Sequence, residues 1–224
     1  MSKLYVVATP IGNLKDITFR AVEVLKNVDL VLAEDTRVTR KLLSFFDIAK
    51  PVQSFHKFSS VRVAERVADL LRGDKSVAFV TDAGSPGISD PGQYLIQTIV
   101  RAGFGARIVA VPGASALAAT ISVSDIDCSE FMFLGFAPHK KGRKTFFERV
   151  AQSEVPVILF ESPHRIQKTL SQLREAAGDR YVNIGRELTK MHEEVFRGKV
   201  SEAHKYFTGE KGRGEFTVII SAVQ

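Results

Sequence analysis

A single cysteine, Cys128, stands in a chain of 224 residues. That excludes an internal disulfide framework and any zinc site built on several thiolates, and it fits a reducing, cytosolic compartment. No histidine-rich stretch surrounds Cys128, which reads as a small buried apolar residue rather than a nucleophile. Long apolar runs are missing too. The opening stretch, MSKLYVVATPIGNL, has only a short apolar segment before Pro10 and Gly12, too short for a signal-peptide core or a membrane span. No later segment approaches spanning length, and there is no internal repeat, low-complexity tract or long linker. Three loop signatures are also absent: GxGxxG, GxxxxGK[ST] and GxSxG. The common readers of dinucleotides and nucleoside triphosphates, and the hydrolase nucleophile elbow, are thereby disfavoured.

What is present is enough apolar material, 45% of residues, to bury a core as one large domain or two small ones. Thirty-one Lys and Arg against twenty-five Asp and Glu give a net charge of +6, an excess that steers a protein toward phosphate without identifying the partner. The basic residues cluster as Arg37, Arg40 and Lys41, as His139, Lys140, Lys141, Arg143 and Lys144, and as His164 and Arg165. Each cluster is either a phosphate-contacting surface or a solvated helix face.

Apolar runs alternate with amphipathic stretches, so the first half reads as strand, helix, strand, helix, the pattern of a largely parallel sheet covered by helices. LYVVA (4–8), DLVLAE (29–34), VAFVT (77–81) and RIVAV (107–111) are its strands. Asp16 is placed to cap a helix through FRAVEVLKNV, VRVAERVADLLRG (61–73) is a helix closing on Gly73, and another helix starts near Gln93. After the small-residue helix ASALAATISV, the polar turn SDIDC (124–128) marks a domain boundary, giving α/β domains over 1–122 and 123–224. The second half has strands FMFLGF (131–136), PVILF (156–160), YVNIG (181–185) and EFTVII (215–220), with helices near 143–153 and 163–177.

Four loops, TPIGN (9–13), EDTR (34–37), TDAGSPGISDPG (81–92) and VPGAS (111–115), each follow a first-half strand. In open α/β sheets ligands bind beyond the carboxyl ends of the strands, so these loops are the site candidates. Turn chemistry alone would account for any one of their glycines. Glu34 and Asp35 lie about twenty residues beyond Gly12, the spacing of the acid that meets a ribose in dinucleotide folds, which keeps NAD as an alternative ligand. Asp82 and Asp90 are candidate Mg²⁺ ligands, but the Gly, Ser and Pro between them give no recognisable ligand spacing, and no metal is expected.

The order TPIGNL, EDTR, HKF (56–58), TDAGSPGISDPG, VPGASA, LGFAP (134–138), ESPHR (161–165), REL (186–188) and RG (197–198) resembles the tetrapyrrole methylase family, the class III methyltransferases, over nearly the whole chain. EDTR and ESPHR beside TDAGSPGISDPG are similar to the branch that methylates a cytidine ribose of 16S ribosomal RNA rather than tetrapyrroles or diphthine. The resemblance implies two α/β domains with S-adenosyl-L-methionine in the cleft between them, usually in a homodimer. It implies cofactor contacts from Pro10, Ile11 and Gly12, from Ala83, Gly84, Ser85, Ile88 and Ser89, from Ser115 and Ala116, and from Glu161, Met191 and Thr217. Many members of the branch carry a further carboxy-terminal segment beyond the strand that ends here in SAVQ. Without it, the basic clusters would supply the RNA contacts.

A ribose hydroxyl is a weak acid, so its methylation needs a base or nearby positive charge. Glu34 or Asp35 is the expected proton acceptor or relay, with Arg37 on a phosphate or on the developing charge. Helix capping by these acids or by Thr36 is the structural alternative. Arg40, Lys41, Lys140, Lys141, Arg143, Lys144, His164 and Arg165 are the expected RNA contacts, His164 and Arg165 being also candidates for capping the helix after Pro163. A small-molecule acceptor such as a precorrin, and a non-catalytic RNA-binding assembly protein, are the competing readings.

Overall fold

The computed structural model describes residues 1–55, 60–90 and 92–223; the HKF stretch (56–58) and Pro91 lie outside the described residues. The chain divides into two compact units, Met1–Ser115 and Ala116–Gln224.

In the first unit, strands β1 (Leu4–Val7), β2 (Leu30–Ala33), β3 (Val52–Ser54), β4 (Val77–Val80) and β5 (Ile108–Val111) form a sheet in the order β3-β2-β4-β1-β5. Every pairing in it is parallel. Helices α1 (Phe19–Asn27), α2 (Thr36–Phe45), α3 (Ser60–Arg72) and α4 (Gly92–Ile99) connect the strands. Alternate side chains of a strand point to opposite faces, and both faces here are covered. Leu30, Leu32, Val77 and Phe79 pack with Val67 and Leu71 of α3 and with Leu95 and Ile99 of α4. Val31, Ala33, Ala78 and Val80 pack with Ala21 and Leu25 of α1 and with Leu43 of α2. This two-sided burial is why LVLA and VAFV are unbroken apolar runs.

One cap differs from expectation, and a second decides between two residues the sequence offered. Asp16 lies in a 3₁₀ turn (Leu14–Asp16) that ends in extended backbone at Ile17, so the helix restarts later and Thr18 caps α1, accepting from the Ala21 N–H at 3.1 Å. For α2 the cap is Asp35 rather than Thr36, its carboxylate accepting from the Arg37 N–H at 2.8 Å.

The second unit begins with α5 (Ala116–Ser122). It continues through β6 (Met132–Phe136), α6 (Arg143–Ala151), β7 (Val157–Glu161), α7 (Ile166–Ala177), β8 (Tyr181–Arg186), β9 (Glu194–Lys199), α8 (Val200–Tyr206) and β10 (Phe216–Ile220). The sheet order is β6-β7-β10-β8-β9, with β6–β7 parallel and the other pairs antiparallel. One face, with Val157, Leu159, Val182, Ile184, Val218 and Ile220, packs on α6, α7 and α8. Helix α5 lies on the other face, where Gly185 makes room: a Cβ there would sit 3.1 Å from Thr120 Oγ1. The segment 124–128 is fastened to the same sheet, since the Asp125 N–H donates to Asn183 Oδ1 at 3.0 Å and the Tyr181 hydroxyl to Asp125 Oδ2 at 3.0 Å. The first compact unit ends at Ser115, before α5, and SDIDC lies within the second.

Candidate active site

Parallel pairing in register carries the ends of four strands to one edge of the first sheet: Val7 is level with Val80 and Val111, and Ala33 with Val80. The loops after them are tied to one another. Thr9 and Gly84 exchange both backbone hydrogen bonds at 3.0 Å. The Thr9 hydroxyl donates to the Thr81 carbonyl at 3.2 Å and the Thr81 hydroxyl to the Gly84 carbonyl at 3.1 Å. Ala8 N–H reaches the Val111 carbonyl at 3.0 Å, and the Ser85 hydroxyl donates to the Ala114 carbonyl at 3.2 Å. The remaining loop, EDTR, joins through Asp82, whose Oδ1 accepts the Asp35 N–H at 2.8 Å. TPIGN, EDTR, TDAG and VPGA thus form one fixed rim.

Two glycines make this closeness possible. Gly84 has φ +83, a conformation that strains any side chain, and a Cβ on Gly113 would lie 3.0 Å from the Ala8 Cβ. Asp90 shapes the rest of the long loop by accepting from the Gly87 and Gly92 N–H groups at 2.5 and 2.6 Å. Both candidate metal aspartates therefore hold backbone N–H groups. Among the expected ligand contacts, Pro10, Ile11 and Gly84 are buried in the rim, Ser85, Ile88 and Ser115 are half-buried, and Gly12, Ala83 and Ser89 are exposed. Ser89 holds φ +65.

The neighbouring acids Glu34 and Asp35 have opposite electrostatics. Asp35 binds the Arg37 guanidinium at 2.6 Å as well as the Arg37 N–H, and these bonds hold its carboxyl down to about 2. Glu34 is half-buried; burial first, then the nearby charges of Asp82 and Asp90, push its carboxyl above the usual range. The two carboxyls are thus shifted in opposite directions, Glu34 toward greater basicity and Asp35 away from it. The Arg37 side chain is 85% exposed, and Arg40 and Lys41 are exposed on α2.

In the second unit the basic residues separate into two kinds. Lys140, Lys141, Lys144, His139 and His164 are exposed. Arg143 is buried instead: its guanidinium donates to Gln172 Oε1 at 2.5 Å, to the Pro138 carbonyl at 2.9 Å and to Thr169 Oγ1 at 2.7 Å. Arg165 pairs with the fully buried Glu161 carboxylate at 2.7 Å and donates to the Ala137 carbonyl at 2.9 Å. Glu161 also accepts from the Thr169 hydroxyl at 2.6 Å and from the Ser162 N–H at 2.8 Å. Arg143 thus binds backbone and polar side chains of the chain itself, and Arg165 a backbone carbonyl and a buried carboxylate. Arg165 also stands at the N-cap position of α7, without a side-chain cap bond. Thr217 is buried in β10, Met191 is almost fully exposed and Ala116 opens α5.

Sequence reasoning missed Thr9 and Thr81, the hydroxyl latches of the rim, and the anchoring role of Asp82. A polar residue at the end of a buried apolar run, as in VVAT and AFVT, was the available signal.

A model of the family described as Tetrapyrrole (Corrin/Porphyrin) Methylases matches residues 3–204. A Thermotoga maritima protein named Ribosomal RNA small subunit methyltransferase I is 47% identical over 221 residues, covering 99% of each chain. The protein of that name from Borrelia garinii is 42% identical over 97% of this chain and 98% of its own. The one from Bacillus subtilis is 39% identical over 98% of this chain and 75% of its own. A crystal structure of diphthine synthase superposes with a TM-score of 0.73 at 16% identity, over 98% of this chain and 90% of that one. The methyltransferase CobJ gives 0.72 at 14%, over 100% and 95%. These two establish likeness of fold. With a match running from Lys3 to His204, over the rim loops, the whole first sheet and every strand of the second but β10, the chain belongs to the tetrapyrrole methylase family.

Proposed function

We propose that this protein transfers the methyl group of S-adenosyl-L-methionine to the ribose 2′-hydroxyl of a cytidine in 16S ribosomal RNA of the small subunit, as a cytoplasmic homodimer. The observation that carries the reading is 47% identity, over 99% of both chains, to a relative named as a small-subunit ribosomal RNA methyltransferase.

The rim suits that cofactor. Gly12, Ala83 and Gly113 leave backbone groups accessible, and the carboxylates of Glu34, Asp82 and Asp90 set a negative field for a ligand with sulfonium and ammonium charges. Pro10, Ile11, Gly12, Ala83, Gly84, Ser85, Ile88, Ser89 and Ser115 are the residues that would hold it. When bound, it supplies a methyl group already activated by the sulfonium leaving group. The protein's remaining work is orientation of the acceptor, which captures the large entropic advantage of reactants held in line, and removal of its proton. A Glu34 carboxylate oxygen takes the 2′-hydroxyl proton, because Glu34 is the more basic of the two acids. Asp35 caps α2 and holds Arg37, whose exposed side chain stands ready for a phosphate.

The test is incubation with methyl-labelled cofactor and purified small subunits, followed by mass spectrometry of the RNA. Label on one cytidine ribose is the expected result; RNA that stays unlabelled refutes the reading. Light scattering tests the dimer.

A further inference from the structure

The edge strand β6 carries a bulge with an unusual effect. Phe133 pairs with Ile158 and Phe136 with Phe160, while the register slips between Phe133 and Gly135, where Gly135 takes φ +63. Residues three apart on a regular strand face opposite sides. The extra residue restores Phe136 to the side of Phe133 and Phe160, as bulges do where a side chain must be re-aimed. The ring of Phe160 lies 5.0 Å from that of Phe133 and 5.6 Å from that of Phe136. Phe136 nevertheless stays 49% exposed. A device that turns a phenylalanine onto an aromatic cluster and leaves half of it in water does not serve core packing alone.

The surroundings supply a partner chemistry. Phe136 leads directly into the loop bearing exposed His139, Lys140 and Lys141. Because β6 and β7 run parallel and Phe136 is level with Phe160, exposed His164 follows the neighbouring strand at the same end of the sheet. The loop is held from beneath by Arg165 on the Ala137 carbonyl and Arg143 on the Pro138 carbonyl, so its cations are presented by a fixed backbone. Aromatic faces beside a track of cations are the combination that binds unpaired nucleotides, bases stacking on rings while phosphates meet the charges.

We propose that Phe136, backed by Phe133 and Phe160, is a stacking platform for one unpaired base of the substrate RNA, with Lys140 and Lys141 on the adjoining phosphates. The proposal rests on the RNA reading above. Its test is steady-state methyl transfer to small subunits not yet methylated, with wild type, Phe136→Ala, Phe136→Trp and the pair Lys140→Ala, Lys141→Ala. Loss of one stacked base corresponds to about a tenfold loss of affinity. Phe136→Ala should therefore raise KM for subunits about that much, with kcat and cofactor affinity held, and Phe136→Trp should restore KM. The salt dependence of KM should stay as in wild type for Phe136→Ala and flatten for the lysine pair, since only phosphate contacts release counterions. If wild type methylates subunits and Phe136→Ala has an unchanged KM, the platform is overturned and the RNA reading stands. If wild type transfers no methyl group to RNA, both fall. A Phe136→Ala protein with altered mass in solution and unchanged KM would make this face a contact between copies, which also overturns the proposal.

Discussion

Thr169→Val removes one hydroxyl from the middle of the buried charge network in the second unit while keeping the side chain's shape. That hydroxyl donates to Glu161 Oε2 at 2.6 Å and accepts from the Arg143 guanidinium at 2.7 Å, and Thr169 is fully buried. Hydrogen bonds to charged groups contribute about 1.5–3 kcal/mol each, and a buried group left unpaired costs its desolvation. Glu161 keeps Arg165 and the Ser162 N–H, and Arg143 keeps Gln172 and the Pro138 carbonyl, so the low end of the summed range applies, about 3 kcal/mol. With a urea slope of about 2 kcal/mol/M, the midpoint should fall by about 1.5 M with the slope unchanged. Thr169→Ser keeps both bonds and loses one methyl group, which costs about 1 kcal/mol. Equilibrium unfolding followed by far-ultraviolet circular dichroism measures both. A valine variant within about 0.5 kcal/mol of wild type, the scatter of ordinary surface changes, would show that the hydroxyl does not connect the two charges.

As the proposed base, Glu34 would have to be ionised to accept a proton, and burial with the nearby Asp82 and Asp90 charges raises its carboxyl above the ordinary glutamate range. Activity should therefore fall on acidification at a higher pH than an ordinary glutamate would dictate. Glu34→Gln should abolish turnover with cofactor affinity kept. Asp82→Asn, which removes a neighbouring negative charge, should move the acid limb of kcat/KM to lower pH; a limb that stays in place removes Glu34 as the base. Asp35 titrates the other way: its folded value of about 2 against 3.8 means its contribution to stability is present above 3.8 and lost as pH falls toward 2. Asp35→Asn should flatten acid unfolding over that window, and an unchanged profile would contradict the Arg37 pairing. Gly92→Ala would put a Cβ 2.5 Å from the Phe79 ring and 2.7 Å from Asp90 Oδ1. Thermal unfolding should show overpacking of about 1–3 kcal/mol, and a neutral result would mean the loop shifts freely.

How much of this was readable in advance follows from burial. The strands of the first sheet announce themselves because both faces are covered, whereas β3 is three half-buried residues, VQS, and passes unnoticed. Strand β9, EVFRGK, sits at a sheet edge where charged side chains reach water and break the apolar pattern, and α8 after it has only seven residues. Both escape periodicity. The rim was legible because parallel strands must end on one side. The fate of each charge was not. Lys140 and Arg143 look alike in sequence, but Arg143 meets Thr169 and Gln172 on a helix far along the chain, and only packing decides that Arg143 is buried and Lys140 exposed. Glu34 and Asp35 likewise differ through the burial of the one beside Asp82 and the Arg37 pairing of the other, not through residue type.

The strand order of the first unit has a consequence for how the protein is made. β1 is synthesised first, yet its two neighbours in the sheet are β4 and β5, and the β5 partner is complete only at Val111. Until then Ala8 has no carbonyl to meet, Ser85 has no Ala114 and the rim stays open. A nascent chain stopped just before β5 owns three of the four rim loops but not the closed rim, which forms in a single late event, when the last parallel strand docks.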